Sequence, residues 1–280
     1  MREIDARSVI DAVAELCRKA NYELPDDVVA ALERAVANES SPLGKRVLLS
    51  ILRNASIARE GKFPICQDCG LAVFFVEMGR DVRIEGMTLE QALAAGTRRG
   101  YGEHYLRKSV VRDPFQRENT GDNTPPYVHI RQLEGDKLRL RFMPKGSGSE
   151  NMSSCVMLSP SDGVAGVRRV VAECVDAAGA KACPPITVGV GIGGSFDECP
   201  KLAKLALLRK IGSRHKDAFY DGLERQMLED VNALGIGPLG FGGKTTALAV
   251  HIEAAPCHIA SLPVAVNLQC HAARRAEVIL

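Results

Sequence analysis

Two thiols, an amide and a carboxylate stand almost side by side in residues 64–70, which read Pro-Ile-Cys-Gln-Asp-Cys-Gly. This segment separates a predicted helix from residues 71–76, an apolar run that predicts a buried strand. A turn between two such elements lies on the surface and holds its side chains on rigid supports, which makes it a common place for chemistry. Cys66, Gln67 and Asp68 are therefore the first candidates for a functional site.

Three cysteines occupy comparable positions, since Cys66 and Cys183 each precede a predicted strand and Cys270 follows one. Thiolates favour soft metals and iron–sulfur clusters. Nine cysteines without a secretory signal indicate a reducing compartment, where metal binding or catalysis is more common than disulfide formation. A free cysteine can also be a small buried hydrophobic residue, and spacing alone leaves both readings open for these three. The hydrophobic reading fits three others: Cys17, Cys155 and Cys174.

Other signature motifs are incomplete. Cys66 and Cys69 form a C-x-x-C, but no second pair completes a compact zinc site and the thioredoxin context is missing. Residues 189–194 match G-x-G-x-x-G, yet the region that follows is basic where a dinucleotide-binding fold needs an acidic residue. Residues 237–246 resemble a P-loop, but the spacing is wrong and the segment leads into a strand where a P-loop leads into a helix.

Composition excludes several classes of protein. A net charge of +2 over 280 residues is too small to indicate a nucleic-acid or membrane-surface partner. No apolar run approaches the roughly 20 residues that span a bilayer. Because the first residues also lack the apolar core of a secretory signal, we expect a cytoplasmic location.

The elements that must position the candidate residues form a mixed pattern. The first 60 residues predict helices, residues 127–133 and 137–142 a hairpin, and residues 145–151 a flexible polar loop. Strands and helices then alternate until Cys270 and His271, where the ordered pattern is predicted to close. We predict an α/β (mixed α+β) fold, in which a helical N-terminal region at residues 1–60 is followed by mixed sheets with packed helices, in one domain over residues 1–280.

The combination of these segments resembles the iron–sulfur-dependent class I fumarases and the related L-tartrate dehydratases. The match covers the chain nearly end to end. It is carried by residues 64–68 (Pro-Ile-Cys-Gln-Asp), 145–153 (Lys-Gly-Ser-Gly-Ser-Glu-Asn-Met-Ser), 183–194 and 236–246, with His258, Pro263 and Cys270.

The resemblance implies a [4Fe-4S] cluster held by Cys66, Cys183 and Cys270, with one iron left open as a Lewis acid. The implied reaction is the reversible hydration of fumarate to L-malate, with the dehydration of L-tartrate as the alternative. Many relatives carry threonine after Gln-Asp where this chain carries Cys69, so the resemblance favours Cys66 as the ligand and leaves Cys69 as a substitute.

The resemblance also implies roles for other residues. Asp68 would exchange a proton with the substrate oxygen, although an aspartate here can simply cap the turn. Gln67 and Arg107 would bind the substrate carboxylate, and the backbone at Gly146 would face the anion. His258 would polarise the substrate or orient the group bound to the open iron, unless it is a core histidine whose hydrogen bonds are satisfied within the protein. The alternative for Arg107 is a solvated surface arginine, and the alternative for Gly146 is an ordinary flexible loop.

The family places further basic residues and the catalytic base in a second domain. The resemblance therefore implies that this chain is the α subunit of the two-subunit form, acting on a small dicarboxylate in a hetero-oligomer with a fumarase-type β subunit. A cluster-bearing electron-transfer or redox-sensing module is the alternative from another class of protein. The substrate-binding groups and the three cluster ligands, one fewer than an electron carrier uses, favour the hydro-lyase.

Overall fold

The computed structural model describes residues 1–61 and 63–280. Its elements in chain order are β1 (Arg2–Asp5), α1 (Ala6–Tyr22), α2 (Asp26–Asn38), α3 (Pro42–Arg59), β2 (Leu71–Gly79), β3 (Val82–Glu85), α4 (Leu89–Glu103), β4 (Tyr127–Leu133), β5 (Leu138–Lys145), α5 (Ser147–Glu150), β6 (Ser154–Leu158), α6 (Gly163–Ala178), β7 (Ile186–Gly193), α7 (Glu198–Ala206), α8 (Ala218–Ala233), β8 (Ala247–Ala255), β9 (Leu262–Gln269) and β10 (Ala276–Ile279). The mixed α/β fold class is confirmed. None of the described helices is long and apolar enough to cross a membrane.

The chain divides into two compact units. Unit 1 comprises Met1–Pro25, Ala55–Gly146 and Arg274–Leu280, and unit 2 comprises Asp26–Asn54 and Ser147–Ala273. Three helices lie in the N-terminal region as predicted, preceded by the short strand β1. Compactness does not test whether either unit folds alone, so the single domain over residues 1–280 stays a prediction.

Unit 1 is built on a four-stranded sheet with the order β10-β5-β2-β4. Helices α1 and α4 contribute to its core, and β2 supplies five consecutive buried residues from Ala72 to Val76. A strand with such a run of consecutive buried apolar residues is covered on both faces and belongs in the interior of a sheet.

The predicted hairpin of residues 127–133 and 137–142 is wrong, although both strands form. Strand β2 lies between them, parallel to β4 and antiparallel to β5. The reason is burial: β2 needs a neighbour on each side, whereas β4 is largely exposed and suits an edge.

Unit 2 is built on a four-stranded sheet with the order β6-β9-β7-β8. Helices α6 and α8 cover one face, where Val188 and Val190 of β7 enter the core. Helix α7 covers the other face, where Gly189 and Gly191 stand. Because side chains alternate along a strand, the single strand β7 supports both layers.

Two local predictions need correction. The polar segment 145–151 is not a flexible loop: Lys145 ends β5, and Ser147–Glu150 form the one-turn helix α5, with a 2.9 Å bond from the Asn151 amide to the Ser147 carbonyl. The ordered pattern also does not close at Cys270, because β10 follows and pairs antiparallel with β5 in unit 1.

Candidate active site

The turn at residues 66–70 is fixed from behind by buried side chains of unit 1. The Tyr101 hydroxyl donates to the carbonyl oxygens of Cys69 at 2.8 Å and Gly70 at 3.1 Å. The Asn123 amide nitrogen donates to the same Gly70 oxygen at 3.1 Å. Since Tyr101 and Asn123 are both fully buried, the backbone of the turn is held in one position.

The two thiols of the turn have different surroundings. Cys66 is partly exposed, and its sulfur accepts the Asp68 amide at 3.4 Å. Cys69 is buried, and its sulfur accepts the Arg107 amide at 3.2 Å. Burial raises the pKa of the Cys69 thiol, and the Arg107 amide opposes that rise. Cys66 is therefore the thiol that is open to a ligand, while Cys69 is engaged inside the protein.

The two carboxylate oxygens of Asp68 have different neighbours. One oxygen, Oδ1, accepts the Gly70 amide at 2.9 Å, which is the capping role that the plain reading of this residue requires. The other oxygen, Oδ2, lies 3.1 Å from the position that a Cβ on Gly146 would occupy. The turn and the end of β5 thus meet at this carboxylate, and a larger residue at position 146 would require the carboxylate to move by a few tenths of an ångström.

Gln67 and Arg107 present their side chains to the surface. The side-chain oxygen Oε1 of Gln67 lies 3.6 Å from the Cys66 sulfur. The Arg107 guanidinium forms no hydrogen bond or ion pair with residues 1–61 or 63–280, whereas its backbone is tied to the turn through Cys69. In unit 1 the structure brings together Cys66, Gln67, Asp68 and Gly146, and it anchors the backbone of Arg107 beside them.

Cys183 and Cys270 come together at one end of the sheet of unit 2. Cys183 precedes β7 and Cys270 follows its antiparallel neighbour β9. The backbone amide of His271 donates to the Cys183 carbonyl at 3.1 Å, which joins the two loops. Cys183 has a φ of 54°, a left-handed conformation that is uncommon for a residue other than glycine and often marks a functional site.

The structure does not bring His258 to these cysteines. His258 lies in the exposed loop between β8 and β9, and Cys270 follows the far end of the eight-residue strand β9. At roughly 3.3 Å per residue, the strand separates the two residues by about 25 Å. His258 is exposed, so the reading as a buried core histidine does not hold.

A buried arginine that was not among the predicted site residues, Arg274, contacts the turn. Its side chain is 1 % exposed, and Nη2 donates to the Asp68 carbonyl at 2.9 Å. Nothing in the sequence around it marks Arg274 as different from Arg275. Its pairing to a turn some 200 residues away could not be predicted.

The two glycine-rich segments have structural roles. A Cβ on Gly189 would lie 2.1 Å from the Ala203 carbonyl, so this glycine lets α7 approach β7. In the P-loop-like segment, the Glu39 carboxylate accepts the Lys244 amide at 2.9 Å and approaches Gly243 closely. An internal carboxylate thus takes the place that a phosphate would need.

In the part of the chain that the structure describes, no three His, Cys, Asp or Glu side chains are grouped closely enough to hold a single metal ion. An iron–sulfur cluster requires a wider spacing, because each thiolate binds a different iron. The surface loops supply suitable thiols at Cys66, Cys183 and Cys270. Cys155 and Cys257 are also accessible, but they lie on the edge strand β6 and in the loop of His258. The donor set therefore fits a cluster chemically.

Comparison with known proteins identifies the family. The family model for fumarate hydratase (Fumerase) matches residues 10–279. A Methanocaldococcus jannaschii protein, provisionally named L(+)-tartrate dehydratase subunit alpha, is 46 % identical over 274 residues, covering 96 % of each chain. The L(+)-tartrate dehydratase subunit alpha of Escherichia coli O157:H7 is 34 % identical over 274 residues, covering 96 % of this chain and 90 % of that protein.

These matches extend over nearly the whole chain, as the resemblance of its motifs predicted. They decide between the enzyme and the electron-transfer module in favour of the enzyme. The chain belongs to the fumarate hydratase (Fumerase) family and is a hydro-lyase.

Proposed function

We propose that this chain is the α subunit of an iron–sulfur hydro-lyase that hydrates fumarate reversibly to L-malate. The observation that carries the proposal is the position of the Asp68 carboxylate, on the same turn as the accessible thiol of Cys66 and 3.1 Å from the Cβ position of Gly146. This arrangement supplies a proton-exchanging group beside a metal-binding thiol. An electron carrier has no need of such a group.

Cys66, Cys183 and Cys270 would hold a [4Fe-4S] cluster, which supplies a Lewis acid when bound. Cys66 is preferred to Cys69 because Cys69 is buried and its sulfur already accepts the Arg107 amide. The shared bond between the loops of Cys183 and Cys270 supports their assignment as a pair.

The other residues bind and orient the substrate. Asp68 uses Oδ1 to hold the Gly70 amide, so its carboxylate has a fixed orientation and Oδ2 can exchange a proton with the substrate hydroxyl. Arg107 and Gln67 would bind a substrate carboxylate from the surface side of the turn, where the Arg107 guanidinium is exposed. Gly146 leaves the space that this contact needs.

A β subunit would complete the site. A dicarboxylate carries two negative charges, and Arg107 is one cation. The relatives are named as α subunits, which supports a hetero-oligomer with a β subunit that contributes the remaining cations and the catalytic base.

The second candidate substrate is L-tartrate. It is favoured by the names of the two relatives, both of which are called L(+)-tartrate dehydratase subunit alpha. Both reactions remove water from a hydroxy acid, so the residues proposed above serve either substrate.

His258 enters the proposal only through a second copy of the chain, because strand β9 separates it from Cys270 of its own chain. Co-expression of Asp68→Asn with His258→Gln would test this assignment. Mixed assemblies that regain part of the activity would support it, and complete inactivity of the mixture would oppose it.

The function is tested by anaerobic reconstitution of iron and sulfide in the chain together with its β subunit. Turnover of L-malate is followed as fumarate formation and turnover of L-tartrate as oxaloacetate formation. The proposal expects malate dehydration that requires both subunits. Turnover of tartrate alone would assign the second candidate, and activity of the isolated chain would contradict the need for a partner.

A further inference from the structure

Within residues 1–61 and 63–280, Arg274 is a buried cation without an anionic partner. Nη1 donates to the Asn21 Oδ1 at 2.9 Å and Nη2 to the Asp68 carbonyl at 2.9 Å, and both acceptors are neutral amide oxygens. Nε is buried and has no partner. Within residues 1–61 and 63–280, no carboxylate oxygen forms an ion pair with this guanidinium at 4.0 Å or less.

An unpaired buried charge is costly, since the free energy lost on removing an ion from water is only partly offset by dipoles. The Asn21 and Asp68 oxygens supply such dipoles. Asn21 holds the arginine in this place, since it is itself fully buried and its side-chain amide nitrogen donates to the Cys17 carbonyl at 2.9 Å. The positive charge is therefore fixed behind the turn.

The same turn carries two groups that are anionic in the proposed site, the Asp68 carboxylate and the Cys66 thiolate. Arg274 Nη2 lies 3.7 Å from the Cβ position of Gly146, and Asp68 Oδ2 lies 3.1 Å from that same position. Asp68 links the guanidinium to the Cys66 sulfur, because its carbonyl oxygen accepts from Arg274 Nη2 and its amide donates to that sulfur. The guanidinium therefore lies within roughly 10 Å of the Cys66 sulfur.

We propose that Arg274 is a positioning residue that fixes Asp68 and supplies a positive potential at the Cys66–Asp68 turn, which favours anions there. This inference rests on the proposed function, because the anions that Arg274 would favour are the Cys66 thiolate and the Asp68 carboxylate of that site. The competing reading is a brace that acts only through hydrogen bonds. The two readings differ in one respect: only the first depends on the charge.

The charge is measured by comparing two alkylating reagents at Cys66. Iodoacetate is an anion and iodoacetamide is neutral, and both react with the same thiolate. The ratio of their rates therefore cancels the fraction of thiolate and reports the local potential. The experiment uses the full chain without iron, at one pH, with the modification of Cys66 quantified by peptide mass spectrometry.

Arg274→Gln removes the charge and keeps a side-chain amide that can donate to the Asp68 carbonyl. We expect the iodoacetate to iodoacetamide ratio at Cys66 to fall about fourfold, as for one charge at roughly 10 Å with an effective dielectric constant of about 40. Arg274→Lys keeps the charge and should retain most of the wild-type ratio. Tyr101→Phe is the matched control, because it removes a hydroxyl that bonds to the same turn without a change of charge.

Asn21→Asp provides a second variant in case Arg274→Gln does not fold. It places a carboxylate of the same shape on Nη1 and neutralises the guanidinium while the bond to Asp68 remains, at the loss of the amide donation to the Cys17 carbonyl. The ratio should fall by a similar factor. An unchanged ratio in a folded Arg274→Gln or Asn21→Asp protein would overturn the proposal, as would an equal fall in Tyr101→Phe.

Failure here is distinguishable from failure of the proposed function. The alkylation ratio is measured without iron, substrate or partner, so it stands or falls independently of malate dehydration. A normal ratio with an active holoenzyme would leave the hydro-lyase intact and reduce Arg274 to a brace.

Discussion

Gly146→Ala tests the meeting point of the turn and β5. The new Cβ would lie 3.1 Å from Asp68 Oδ2 and 3.7 Å from Arg274 Nη2. The first contact is tighter than the ordinary van der Waals range of 3.4–4 Å, so the carboxylate must move by a few tenths of an ångström. A misplacement of about 1 Å can reduce a rate about 10²-fold, so we expect a loss of about tenfold in kcat.

The assay is malate dehydration by the reconstituted two-subunit enzyme, with iron and sulfide determined on the same sample. Gly148→Ala is the matched control, because its Cβ would lie at an ordinary 3.4 Å from the Lys181 carbonyl. We expect Gly146→Ala to keep its iron and lose turnover, and Gly148→Ala to keep both. Full turnover by an iron-loaded Gly146→Ala enzyme would refute the assignment of Asp68 Oδ2 to the reaction.

Three further predictions follow from the same contacts. Asp68→Asn should retain iron while kcat falls on the order of 10²-fold or more, because the amide cannot exchange the proton; a holoenzyme with near-normal kcat would reduce Asp68 to a cap. Tyr101→Phe should lower the free energy of unfolding by about 1–2 kcal/mol in urea titrations, since it leaves a buried Cys69 carbonyl without its donor; an unchanged midpoint would contradict this. Burial raises the pKa of Asp122, but hydrogen bonds from Thr124 and Arg98 outweigh it and hold the pKa at about 2, below the ordinary 3.8. The stabilisation is therefore present above about pH 4 and lost as the pH falls towards 2, so the difference in unfolding free energy between wild type and Asp122→Asn should shrink over that window.

Local sequence patterns predicted most strands and helices but not which strands pair with one another in the sheets. Strand β2 was evident from its apolar run, and β4 and β5 from alternation on either side of residues 134–136. The insertion of β2 between them depends on the demand of β2 for two neighbours, which is a property of the whole sheet. The four-residue strand β10 is too short for a periodic signal and exists through its pairing with β5.

The candidate site was predictable where chemistry is encoded in consecutive residues. The turn with Cys66, Gln67 and Asp68 was evident from residue types alone, and Gly146 from its motif. Arg274 was not, because its role arises from burial and from a contact with a turn distant in sequence. The separation of His258 from Cys270 likewise depends on strand direction, since their twelve-residue spacing in sequence does not show that a whole strand lies between them.

The central claim, a cluster held by Cys66, Cys183 and Cys270 beside Asp68, is tested most directly by iron and sulfide content. Each cysteine is replaced by serine, the full chain is reconstituted anaerobically, and bound iron and sulfide are counted. Cys69→Ser is the matched control, because this thiol lies in the same turn but is buried. The claim predicts that the three variants lose most of their iron and that Cys69→Ser retains it. Full iron in Cys183→Ser or Cys270→Ser would contradict the claim, and loss of iron in Cys69→Ser with retention in Cys66→Ser would move the ligand to Cys69.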